Sequence, residues 1–154
     1  MKKGTYRSTS EQSGACSESI AKTFLIKLGY IVADAPRDCI FDYVVARNFN
    51  EKTKKWSYWN IQVKTLSGNR LTKTVDRAGE VVSKGGKQRK SVDYAEYGID
   101  WLLGVSKEGK IHCYPLDMYG ALVQKTFSVR KYPSYEFPEY GAKISSNNKN
   151  RKIK

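Results

Sequence analysis

The chain has 154 residues, enough for one domain, and carries 28 Lys+Arg against 15 Asp+Glu for a formal net charge of +13 at pH 7. A surplus of that size favours a polyanionic partner, with nucleic acid ahead of a membrane surface. Eleven tyrosines and three tryptophans exclude a disordered basic tail, and without an apolar leader or a run of about 18 apolar residues neither secretion nor a membrane span is expected.

Met1 to Gln12 is polar and basic and reads as an arm (residues 1–12). Ser10 or Ser13 can cap a helix running to Leu28, with Gly29 as its stop. Ile20, Ala21, Phe24, Leu25 and Leu28 form its apolar stripe. Glu18 falls about 20° from Leu25 on the wheel. It is therefore expected at the core edge, where an unpaired carboxylate is costly.

Tyr30 to Ala33 reads as a short strand, ended by Asp34-Ala-Pro36. Ile40 to Arg47 is a second strand carrying a lone carboxylate, Asp42, and Asn48 to Lys54 is a turn rich in breakers. Trp56 to Thr65 is a third strand, in which Ile61 and Val63 alternate with Asn60, Gln62 and Lys64. The short connection predicts a hairpin, and pairing would let Asp42, Gln62 and Lys64 meet at one point.

Between Lys64 and Lys90 stand eight Lys/Arg, two acids and four glycines. Residues 66–90 are expected to be a long basic loop, and long ordered loops in compact domains are usually functional. Gly85-Gly-Lys87 is not a P-loop, because Val81 replaces the first glycine and Gln88 the Ser/Thr. Ser91 to Tyr97 can form a short helix. Trp101 to Val105 and Ile111 to Tyr114 read as a hairpin across Lys107 to Lys110, and Leu116 to Val123 is a second helix candidate. His112 reads as structural, the tyrosines of 132–140 as cover for a sheet, and residues 141–154 as a mobile basic tail. The odd, widely spaced Cys16, Cys39 and Cys113 read as buried or free thiols of a reducing compartment.

Phosphodiester hydrolysis needs a metal held by hard oxygens, a positioned water and positive charge near the leaving oxygen. Asp42 supplies an anionic oxygen, Gln62 a neutral amide oxygen and Val63 its backbone carbonyl. Glu18 could complete the set directly or through water, and Lys64 could orient the attacking water or help deprotonate it. The metal expected is Mg²⁺, with Mn²⁺ able to substitute, since no thiolate or imidazole cluster suits zinc.

Gly14-x-x-x-Glu18, the helix ending in Leu28-Gly-Tyr30, Phe41-Asp-Tyr-Val-Val45 and Gln62-Val-Lys64 resemble the PD-(D/E)XK nuclease core. Gln62 stands where that motif usually has an acid. The Gln-x-Lys variant is similar to that of small homing endonucleases encoded by group I introns of cyanobacteria. The resemblance implies an α/β, restriction-endonuclease-like fold with a central mixed β-sheet flanked by helices. It also implies Glu18, Asp42, Gln62 and Lys64 as the catalytic set, cytoplasmic location and a bacterial or phage origin.

The natural DNA contacts are then Arg70, Lys73, Arg77, Lys84, Lys87, Arg89 and Lys90. One catalytic set cuts one strand at a time, so double-strand breaks imply a homodimer or homotetramer. A junction resolvase or restriction-type enzyme on the same core, and a catalytically silent nucleic-acid-binding module, are the alternatives.

Overall fold

The computed structural model describes residues 9–36, 39–72, 97–119 and 126–142. Helix α1 spans Thr9–Lys27. It begins inside the segment read as an arm and before either serine proposed as its cap. Its end follows the sequence. Gly29 takes φ +94°, its N–H donates to the Ile26 carbonyl at 2.9 Å, and the Tyr30 N–H donates to the Leu25 carbonyl at 3.1 Å. That pair of bonds is a Schellman motif, which needs a residue free to enter the left-handed region.

Because Tyr30 closes the cap, β1 starts later than expected, at Val32–Asp34. Strand β2 is Tyr43–Asn50 and β3 is Lys55–Thr65. The breakers of 48–50 thus belong to a strand and the turn contracts to 51–54. Pairing with β3 outweighs the poor strand propensity of two asparagines. Asn50 then serves the turn, its Oδ1 accepting the Lys52 and Thr53 N–H groups at 3.0 and 3.1 Å.

The expected long loop opens with a strand, β4 (Arg70–Thr72). It is followed by β5 (Trp101–Val105), β6 (Ile111–Pro115), the four-residue α2 (Leu116–Tyr119) and β7 (Thr126–Ser128), which the sequence reading missed. Most of the Ser91 to Tyr97 helix, the latter half of Leu116 to Val123 and residues 143–154 of the tail lie outside the described residues, as does the bulk of the basic loop.

The main sheet has the order β1-β2-β3-β5-β6. Only β3 and β5 run parallel, so the sheet is mixed. Strands β4 and β7 form a separate antiparallel pair. On one face Ala21 and Leu25 of α1 pack with Val45, Ile61, Val63, Leu103 and Val105. Trp59, Trp101 and Phe137 extend that layer, with the Trp101 and Phe137 rings 4.5 Å apart. On the other face Leu66, Leu71, Phe127 and Val129 close over Leu102 and Tyr114. The approach is tight at Gly104, where an added Cβ would lie 2.6 Å from Leu71 Cδ1 and 2.8 Å from Leu66 Cδ1. The segment 132–140 does cover the sheet: Tyr135 bridges to Cys113 and Phe137 is buried.

Candidate active site

The β2–β3 ladder ends at Tyr43↔Ile61, and Asp42 stands at that end. Its N–H donates to the Ile61 carbonyl at 2.8 Å and its own carbonyl accepts the Ala35 N–H at 2.9 Å. One step further along β3, the Val63 N–H has no β2 backbone partner. The Asp42 Oδ2 accepts it instead, at 2.7 Å. The carboxylate is therefore held where strand pairing stops, against the backbone between Gln62 and Lys64.

Burial pushes the Asp42 carboxyl up to about 6 and the nearby Glu18 adds to the rise, while the Val63 N–H and the Lys64 cation oppose it. An acid so raised at the end of a strand is a common feature of functional sites. Gln62 is 8% exposed. Its Nε2 donates to the Val63 carbonyl at 3.2 Å, whereas its buried Oε1 has no partner among the described residues. An orphaned buried acceptor is rare because it carries a desolvation cost of roughly 1–3 kcal/mol.

Gln62 Oε1, the Asp42 carboxylate and the Val63 carbonyl are the oxygens that could hold a metal here, and oxygen donors suit a hard divalent cation such as Mg²⁺. No group of three or more His, Cys, Asp or Glu occurs among the described residues. The donors available here are thus amide and backbone oxygens beside Asp42, with Glu18 near enough to add to the rise of its pKa.

Asp42, Gln62 and Lys64 come together as the hairpin reading expected. Glu18 differs. It is exposed and not drawn into the core edge, and its nearness to the site is felt through Asp42 and through its backbone carbonyl, which accepts the Tyr43 hydroxyl at 3.0 Å. The inward polar residue is its neighbour Ser17, 4% exposed, whose Oγ lies 2.7 Å from Thr65 Oγ1. Ser17 sits one turn before Ala21 and two before Leu25. A hydroxyl on the apolar stripe was the available signal, and the sequence reading passed over it.

Asp100 was also missed. Its Oδ2 accepts the Asn60 N–H at 2.7 Å, and Asn60 Nδ2 donates to the Gly98 carbonyl at 2.9 Å. These bonds fix the start of β5 beside β3. Of the seven basic residues proposed to touch DNA, Arg70 is exposed on β4; the other six lie outside the described residues. A cleft of about 880 Å³ opens beside Ser17 and Thr65, with Lys107, Lys110 and Arg130 in its wall. His112 also lines it; burial and the Lys110 charge lower its pKa, favouring the neutral ring. Cys16, Cys39 and Cys113 are free thiols, the last buried.

Among solved structures, the bacterial homing endonuclease I-Ssp6803I is similar in fold, with a TM-score of 0.57 over 79% of this chain and 78% of that one, at 14% sequence identity. No family model and no curated protein matches the sequence. At this identity the likeness defines the architecture, an α/β fold on a mixed five-stranded sheet.

Proposed function

We propose that this chain is a metal-dependent DNA endonuclease of the PD-(D/E)XK class, of the homing type, with Asp42, Gln62 and Lys64 as its core and Glu18 at the margin. The observation that carries the reading is the meeting of Asp42 with the Gln62–Lys64 strand where β2–β3 pairing stops. The fold likeness to a homing endonuclease supports it.

Asp42, Gln62 and the Val63 carbonyl would hold Mg²⁺ or Mn²⁺, with Glu18 reaching it directly or through water. When bound, the ion supplies Lewis-acid stabilisation of charge on the phosphoryl oxygens. Lys64 Nζ orients the attacking water and offsets the negative charge of the reacting phosphate. Ser17 and Thr65 brace α1 against the end of β3, which keeps the Glu18 charge near Asp42. The net charge of +13 gathers duplex DNA, and two or four copies of the chain supply a site for each strand.

The test is incubation of the protein with supercoiled plasmid, linear duplex and four-way junction DNA, in Mg²⁺ and in EDTA. Mg²⁺-dependent linear product from plasmid is the expected result. Cutting confined to junctions would make the protein a resolvase, and tight binding without cutting in any metal would make it a silent module. Gln62→Glu, which restores the commoner acid, should retain some activity.

A further inference from the structure

The hairpin carries an element that the catalytic reading does not use. Strand β1 pairs with β2 only over Tyr43–Val45, and β5 pairs with β3 only over Ile61–Thr65. Among the described residues, 46–50 and 55–58 therefore have no strand beyond each other. A lone two-stranded ribbon is marginal in water, yet this one presents Phe49, Trp56 and Tyr58 at 36%, 46% and 56% exposure.

Those three side chains share a face. Phe49 is the register partner of Trp56 and Ala46 of Tyr58, and the register shift falls on β2 at Arg47, leaving the alternation of β3 intact. Residues 56, 58, 60, 62 and 64 thus line one side of β3. The exposed aromatics continue the row of Gln62 and Lys64. The ribbon and its turn also carry Arg47, Lys52, Lys54 and Lys55 against one acid, Glu51. Glu51 pairs with Lys54 at 3.0 Å, and Arg47 stacks 4.8 Å over Trp59. Lys52 and Lys55 are exposed at the tip.

We propose that the β2–β3 ribbon docks in a groove of duplex DNA, its aromatic face towards the bases and Lys52 and Lys55 on the phosphates. A major groove about 12 Å wide admits a two-stranded ribbon. Trp56 stands six residues along β3 from Gln62, roughly 20 Å at 3.4 Å per residue. That distance corresponds to about six base steps from the phosphate at the site. The placement rests on the endonuclease reading, whereas DNA docking by the ribbon stands or falls without it.

The test is binding in EDTA, where nothing is cut, to a mixed-sequence duplex of about 30 base pairs, some three helical turns. Lys52→Gln/Lys55→Gln should flatten the slope of log affinity against log salt by about 2, one unit for each phosphate that is no longer neutralised. Trp59 and Trp101 are buried, so DNA should alter the fluorescence of wild type and leave that of Trp56→Phe unchanged. Trp56→Ala/Tyr58→Ala should weaken binding about tenfold, the effect of one good base-edge contact. An unchanged salt slope together with an unchanged Trp56 signal overturns the proposal. So does sedimentation showing that Trp56→Ala/Tyr58→Ala dissociates a DNA-free oligomer, which would make the ribbon an interface between copies. Loss of cleavage with these binding results intact would remove the endonuclease reading alone.

Discussion

One strand, β3, passes through two environments with opposite rules. Between Trp59 and Val63 it lies inside the sheet, and there it buries a polar side chain, Gln62, at 8% exposure. From Lys55 to Tyr58 it is half of a lone ribbon, and there it exposes a tryptophan at 46%. An ordinary strand would do the reverse, since buried positions favour apolar groups and orphaned buried acceptors cost free energy. Both inversions fall on the same face of the same strand. Together they mark a surface shaped for something other than its own stability.

The comparison breaks first at Asp42. Asp42→Asn should abolish Mg²⁺-dependent cleavage, because it removes the carboxylate from the oxygen set; plasmid linearisation measures this. The same change should stabilise the metal-free fold. The Asp42 carboxyl is raised from 3.8 to about 6 by burial, so the fold prefers it protonated. Well below pH 3.8 the group is neutral folded or unfolded and costs nothing. As pH rises through 6 the fold must carry a buried carboxylate, at up to about 3 kcal/mol. Urea unfolding in EDTA should show Asp42→Asn gaining close to that at pH 8 and almost nothing at pH 3. Equal stability of the two proteins at pH 8 would mean that the carboxylate carries no such strain.

Smaller effects sharpen the contrast. Gln62→Leu should stabilise the fold by about 1 kcal/mol, since it removes an acceptor that has no partner, while ending cleavage. Trp56→Thr, on the exposed half of the same strand, should change stability by no more than about 0.5 kcal/mol. Thermal melts of both variants decide whether the two halves differ as described. Away from β3, Gly104→Ala should destabilise by about 1–3 kcal/mol, because Leu66 and Leu71 leave no space for a methyl group.

The parts legible in the sequence were the locally encoded ones. Alternation from Asn60 to Lys64 placed β3 to within one residue of its observed start. The β2–β3 connection then brought Asp42 to Val63 without any knowledge of distant contacts. The pairing of β4 with β7 was illegible: three-residue strands more than fifty positions apart carry no periodic signal, and their partners meet only in the fold, Leu71 opposite Phe127. Breakers misled at Asn48–Asn50, where cross-strand partners decided the outcome. The helical wheel misled at Glu18: it lies only about 20° from Leu25, yet α1 buries Ser17 and leaves Glu18 exposed.

Single-turnover cleavage of a linear duplex by wild type and Lys64→Ala, at equal DNA occupancy in Mg²⁺, tests the central claim most directly. Lys64 shares its face of β3 with Gln62 and its charge acts on Asp42, so the proposed function puts its work on the reacting phosphate and not on docking. The variant should bind DNA as wild type does and cut at least about 10²-fold more slowly, the lower range for loss of a positioned acid–base group. Equal cutting rates would contradict the account.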